Sequence, residues 1–401
     1  MTLPCPLPFC ARRVAEAVRL SPLARGEILT NSATLSARAA QVAPVSDRRK
    51  RASFRGTSSR VAPHDAGRRP ALLHAFALTL TFILTLTSAP RAAAADPAPT
   101  PPAAVAAKPL YQFTESEVGA YLTHLHATEP DLRRRIVHLA RKNLGQPYEL
   151  YLLGEAPFET YDPQPLYSIA KSDCLVFVEH TLAMSLTSDW PGFMRLLQRI
   201  RYRDGRIGVV TRNHFTEADW NPSNRWLARD ITAELAGPRA VKFDEKIDRA
   251  GFLKNRYKLT VSIPVEEHRD LYFPYAEAPA LAAQLHDGDL VEVVRGIVKK
   301  GAPTNDIFGG NAWIGHVGLV AHGPDGTLHI IHSAEPKVRE ETFAAFIARE
   351  TAHNAERDAA GKPRLLGFKF LRLEPDPLAN LKQLDGPDAP RVTLPGGGSL
   401  K

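Results

Sequence analysis

An α+β fold is predicted for this chain, with helices gathered in its first half and strands in its second. Three observations predict it. Capped, helically spaced apolar segments follow one another from Thr114 to Tyr202. Short apolar and β-branched runs separated by turn residues occupy Gly288 to Leu373. Between two of those runs, Pro324-Asp325-Gly326 is a turn signal that implies an antiparallel hairpin.

Residues 1–67 are rich in Arg, Ser and Ala without periodicity, and no fold can be argued for this N-terminal extension. Residues 68–95 read as a secretory signal: Arg68-Arg69, an apolar stretch from Ala71 to Leu86, then small residues Ala93-Ala94-Ala95 before Asp96. The apolar stretch is short for a bilayer span and is weakened by Thr79, Thr81, Thr85 and the adjoining Thr87, so no stable membrane span is expected after cleavage. An exported protein, periplasmic or extracellular, follows. Residues 96–110 are an Ala/Pro linker, 111–375 the folded domain, and 376–401 a flexible tail ending in Pro395-Gly396-Gly397-Gly398.

Within the domain, Thr114-Glu115-Ser116-Glu117 matches a capping box and opens a helix to about His126. Thr128 and Pro130 begin a second helix, with Leu132, Ile136, Leu139 and Leu144 on one face and Gly145 closing it. A Tyr-, Pro- and Gly-rich loop from Gln146 to Lys171 leads to a third helix, capped by Ser172 or Asp173 and apolar nearly all round, hence buried. Asp189 and Pro191 begin a fourth, ending near Tyr202. Short strands are expected at Gly205–Val210, Lys258–Ile263, Gly288–Val294, His316–His322, Thr327–Ser333 and Gly367–Leu373.

Whole-chain net charge is +8, but it misleads. Residues 1–95 alone carry 14 basic against 4 acidic side chains, leaving 37 basic and 39 acidic beyond them. The domain therefore gives no electrostatic argument for nucleic acid as a partner.

Cys174 is the one cysteine that remains once the leader is removed. An internal disulfide is then impossible, and a free thiol kept in an oxidising compartment is a liability unless used. Its place in the first turn of a helix, beside unpaired N–H groups and the positive dipole end, favours the thiolate. A cysteine nucleophile needs a base and a group to orient that base. The hairpin offers His316 on its first strand and His332 on its second. A three-residue loop at Gly323-Pro324-Asp325 would pair His322 with Gly326 and set His316 directly opposite His332 on one face. A one-residue slip would separate the two.

The competing constellation is a metal site. His124 and His126 lie two apart on a helix and point to different faces, and His322, His329 and His332 lack the spacing of a known ligand set. With no HExxH or paired-cysteine spacing in the chain, neither metal nor cofactor is expected.

Together, Asp173-Cys174, Asp287-Gly288-Asp289-Leu290, His316-Val317-Gly318 and His332-Ser333-Ala334 resemble the NlpC-type cell-wall cysteine peptidases. The similarity sharpens toward the domain-of-unknown-function 1460 family, described as N-acetylmuramoyl-L-alanine amidase-like. It is carried by Gly145-Gln146-Pro147-Tyr148, Cys174 through Glu179, Ile200 through Gly205, Arg212 through Phe215 with Asp219-Trp220, Asp230-Ile231-Thr232 and Tyr272-Phe273-Pro274. One departure is Leu175-Val176, where the family often has small hydroxyl residues.

The resemblance implies a papain-like core with N-terminal helices on an antiparallel sheet and a family-specific insertion. It implies Cys174 as nucleophile, His316 as general base and His332 as orienter. Tyr148 would help the Cys174 N–H bind an oxyanion, and Arg212, His214 and Trp220 would line the substrate cleft. Glu179, off the Cys174 face of its helix, is assigned to structure. The implied substrate is peptidoglycan or a muropeptide, cut between N-acetylmuramic acid and L-alanine. Cleavage between D-glutamate and the diamino acid of the stem peptide, or non-catalytic wall binding, are the alternatives.

Overall fold

Four capped helices form one layer against a long antiparallel sheet. The computed structural model describes residues 103–299, 302–304 and 310–385; the N-terminal extension, the signal segment, the start of the linker and residues 386–401 lie outside them. Helix α1 (Glu115–Thr128) begins with the expected capping box, Thr114 and Glu117 each bonding the other's backbone N–H. Asp131, not Thr128, caps α2 (Leu132–Lys142), accepting from the Arg134 N–H, and Gly145 supplies the positive φ that follows it. Asp173 caps α3 (Cys174–Ser185), and Asp189 caps α4 (Trp190–Arg201).

The strands are β1 (Ala228–Asp230), β2 (Val241–Ile247), β3 (Glu266–Pro274), β4 (Leu290–Lys299), β5 (Ala302–Thr304), β6 (Trp313–His322), β7 (Leu328–Ala334), β8 (Lys337–Thr342) and β9 (Arg364–Leu373). They pair antiparallel in the order β2-β3-β9-β4-β6-β7-β8, with β1 on β9 and β5 on β4. On one face Leu290, Val317, Leu319, Ile331 and Leu371 meet the apolar faces of α1–α4. On the other, Val291, Val293, Val320, Ile330 and Phe368 meet Phe343 and Phe346 of α6 (Phe343–Thr351). Helix α5 (Arg249–Tyr257) follows β2.

Several expected boundaries move. Gly205–Val210 is not a strand: Asp204 and Gly205 take positive φ, and Glu159 and Gly208 satisfy the local N–H and hydroxyl donors of Val209 and Thr211. Lys258–Ile263 is not one either, since Lys258 is the left-handed cap of α5. The strands there are β2 and β3, whose charged residues hide the alternation. Leu110 is 1% exposed and belongs to the core, which shortens the linker from its C-terminal side. The start of the expected tail is instead α7 (Pro377–Asp385), with Asp376 capping it and Leu381 buried. Among the described residues no helix is long and apolar enough to cross a membrane.

The sheet carries charge inside it. Lys369 of β9 is fully buried and bonds Asp230 and, at 2.6 Å, Asp270. Its cross-strand neighbour Glu292 is 1% exposed, and burial pushes that carboxyl up to about 8 against the opposing pull of Lys369. A carboxyl so raised keeps, in the folded state, a proton that the unfolded chain loses near pH 4.5. Its contribution therefore declines as pH rises from about 4.5 through about 8, by an amount on the order of a few kcal/mol. Glu292→Gln is expected to be more stable than the parent at pH 9 and nearly equal at pH 5, by denaturant melts at both. An equal loss at both pH values would show that Glu292 acts through packing alone.

Candidate active site

Helix α3 lies against β6 and β7, which brings the start of Cys174's helix to the strands that carry the histidines. Three buried polar side chains fix that approach. The Ser172 hydroxyl donates to Gln146 Oε1 at 2.7 Å and lies 3.0 Å from the Ser333 hydroxyl, which donates to the Ser172 carbonyl at 3.0 Å. Gln146 completes the lock by donating to the Ile169 carbonyl at 2.7 Å. Cys174 is half-buried in the first turn, with Asp173 taking up the Val176 N–H at 2.8 Å. Tyr148 is half-buried and bridges Ser172 in a short parallel ladder, two residues before the cysteine.

The hairpin differs from the expected register by two residues. His322 pairs with Leu328, so Gly323–Thr327 is the loop, with Gly326 at φ +77 and Asp325 holding the Thr327 N–H and hydroxyl. Continuing that register sets Gly318, rather than His316, opposite His332. An even shift preserves the face, so the histidines become diagonal neighbours and still meet. His316 Nε2 and His332 Nδ1 are 2.8 Å apart, with the rings edge to face. Gly318 makes the room: a Cβ there would lie 3.1 Å from the Cβ of His332. Just before His316, Val294 pairs with Ile314 but Val293 with His316, leaving Gly315 as the extra residue of a β-bulge. Such bulges re-aim the side chains beside them.

His332 Nε2 bonds Glu341 Oε1 at 2.9 Å, and Glu341 also accepts from Arg349 at 2.8 Å. Burial would raise the Glu341 carboxyl, but the bonds from His332 and Arg349 outweigh it and pull it down to about 2. Glu341 is therefore an anion, and an anion only accepts. So His332 Nε2 donates to it, His332 Nδ1 is left as an acceptor, and His316 Nε2 donates to that. In a neutral His316, the lone pair then falls on Nδ1. Burial first, then the repulsion that any proton on His332 would add and the Arg295 guanidinium, hold the His316 pKa well below 6.5, so the ring is neutral near pH 7. Phe346 stacks parallel to the His316 ring and edge-on to His332.

The other expected cleft residues go elsewhere. Trp220 is 1% exposed and its indole N–H donates to Glu179 at 3.1 Å, so it offers no flat face to a substrate. Glu179 is buried against Arg201 at 2.9 Å, the structural place expected of it. Arg212 is clamped by Glu155 and, at 3.1 Å, by Asp162, which spends its charge inside the protein. His214 bonds the Val209 carbonyl at 2.6 Å and packs on Phe252 and Tyr257. Burial pushes it down to about 3, leaving it a neutral structural ring. These three brace the segment between α4 and α5.

The Asp287-Gly288-Asp289 signal is likewise a brace. Asp287 holds the His322 ring and N–H, and fully buried Asp289 accepts from Arg133 and Arg372. His329 pairs with Glu340, and His126 sits 3.4 Å from the Met184 carbonyl. Among the described residues no group of three or more His, Cys, Asp or Glu side chains is arranged to hold a metal ion. Sequence reasoning missed Glu341. Its strand has Val338 as its one strongly apolar residue, so no alternation marked it.

Residues 138–352 match the AmiA-like family, described as N-acetylmuramoyl-L-alanine amidase-like. A solved Legionella pneumophila protein of the domain-of-unknown-function 1460 family is 21% identical, with a TM-score of 0.55 over 65% of this chain and 94% of that one. An N-acetylmuramoyl-L-alanine amidase from Bacteroides uniformis is 21% identical over 61% of this chain and 99% of its own, with a TM-score of 0.45. No curated protein matches the chain.

Proposed function

This chain belongs to the N-acetylmuramoyl-L-alanine amidase-like family, and from that premise we propose that it is a cysteine amidase acting on peptidoglycan or its muropeptide fragments. The observation that carries the mechanism is the hydrogen-bonded row His316–His332–Glu341 on strands packed against the helix that Cys174 opens. On this reading the core is papain-like. His316 Nδ1 takes the thiol proton, and the thiolate attacks the amide carbonyl carbon. The Tyr148 hydroxyl and the Cys174 N–H steady the oxyanion. As the carbon–nitrogen bond breaks, imidazolium returns the proton to the leaving amine. Water, deprotonated by the same nitrogen, then hydrolyses the thioester.

The bond proposed is that between N-acetylmuramic acid and L-alanine. The protein is proposed to be exported, periplasmic or extracellular, under direction of residues 68–95. Mass spectrometry of a defined muropeptide tests the bond: the expected products are a free saccharide and a peptide beginning with L-alanine. A peptide beginning with the diamino acid would instead identify a stem-peptide endopeptidase, and binding without product a wall-binding module. Chemistry resting on a thiol makes a second expectation. Iodoacetamide should abolish turnover, reacting well below the free-cysteine pKa of about 8.5, while EDTA leaves turnover unchanged. Loss of activity to EDTA with tolerance of alkylation would transfer the reaction to a metal.

A further inference from the structure

Tyr151 is held in a conformation that its own side chain disfavours. It takes φ +59, and the other described non-glycine residues at positive φ, Asp204 and Lys258, sit at a turn and a helix cap. A bulky aromatic there is an outlier, and such strain gathers at functional sites. The residue is 37% exposed. Its neighbours Leu152 and Leu153 are buried against Val176, two residues past Cys174 in α3. The strained ring therefore stands beside the nucleophile's end of the helix.

Arg256 of α5 completes the feature. Its guanidinium centre lies 3.9 Å from the Tyr151 ring centre, its Nε donates to the Tyr257 hydroxyl at 3.2 Å, and it sits 5.5 Å from the Tyr257 ring. Among the described residues no carboxylate pairs with it, in contrast to Arg212 of the same cluster. A partly exposed aromatic ring, covered on one face by a guanidinium whose terminal N–H groups no carboxylate takes up, suits a neutral ligand that has an apolar C–H face and a rim of oxygens. That is the chemistry of an N-acetylated sugar. A peptide carboxylate would use the guanidinium but not the ring.

We propose that Tyr151 and Arg256 form a saccharide subsite that seats the glycan end of the substrate beside Cys174. This rests on the muropeptide reading and adds to it the residues that recognise the sugar. The probe is the peptide-free N-acetylglucosamine–N-acetylmuramic acid disaccharide, titrated into the Cys174→Ala protein by calorimetry, with free stem peptide in parallel. Binding of the disaccharide should weaken roughly tenfold or more in Tyr151→Ala and persist in Tyr151→Trp, while peptide binding stays unchanged. Tyr151→Gly, which suits the positive φ, should lose the sugar yet keep its melting temperature.

Three results would overturn the proposal: no disaccharide binding, equal binding by Tyr151→Ala, or an equal loss of peptide binding. A lowered melting temperature in Tyr151→Gly with sugar affinity intact would make Tyr151 a packing residue. Failure of the wild-type protein to cleave any muropeptide, with disaccharide binding and its Tyr151 dependence retained, would sink the amidase reading and leave the subsite standing.

Discussion

Cys174→Ala and His316→Ala should each lower turnover roughly a thousandfold or more, because on the proposed mechanism each removes an atom that makes a bond or carries a proton. His332→Ala should cost less, roughly ten- to a hundredfold, since it removes only the group that fixes the His316 tautomer. His332→Gln keeps a polar partner and should recover part of that loss. Glu341→Ala leaves both rings in place but deletes the anion that orders them, so it should resemble His332→Ala. The double variant of Cys174 and His316 should be hardly worse than either single, because residues acting as a unit do not add. Circular dichroism must show each variant folded. A folded His316→Ala protein with near-normal turnover would remove the base from this hairpin. His214, half-buried and bonded to the Val209 carbonyl, does not stand ready to replace it.

The largest expected loss of stability is at Arg201. Its side chain is 7% exposed and is paired with Glu179, which also takes the Trp220 indole N–H. Burial raises the carboxyls of both Glu179 and Asp173, and the Arg201 charge opposes that rise at each. Arg201→Met would leave them buried with that cation gone, at a cost of about 3–5 kcal/mol. The carboxyls can shed their charge by taking up protons, so the loss should be smaller at pH 5 than at pH 8. Glu179→Gln in the same chain keeps an acceptor for Trp220 and should restore part of the stability. A loss under about 1 kcal/mol at pH 8 would mean that water reaches the pair.

How far the sequence could be read depended on whether local signals or long-range pairing decided each element. The four helices were legible because caps are local: Thr114, Asp173 and Asp189 each bond an N–H within three residues. The β4, β6, β7 and β9 strands were legible from their apolar runs. β2, β3 and β8 were not, since Lys242, Asp244, Lys246, Glu267 and Arg269 leave little alternation to detect. Residue types chosen for their chemistry pointed to His316 and His332, which the fold sets 2.8 Å apart, on strands packed against the helix that Cys174 opens. Arg212, His214 and Trp220 invite a cleft assignment for the same reason, yet Glu155, the Val209 carbonyl and Glu179 had claimed them. Those partners lie up to 57 residues away in the chain, beyond any local pattern. The hairpin register turned on whether Gly326 joined the strand or the turn, which its positive φ decides.

The Ser172–Ser333 contact joins residues 161 positions apart. Closing a loop of that length is a late event in folding, because contacts distant in sequence wait for the entropy of closure to be overcome. Until it closes, the helix that Cys174 opens is not held against the strands of His316 and His332, and on the proposed mechanism its thiol would be an ordinary one. On the proposed mechanism, reactivity would thus be acquired only when long-range contacts such as this one have formed. A growing or partly unfolded chain would then be protected from the proposed chemistry, and the appearance of fast alkylation during refolding would report completion of the tertiary structure.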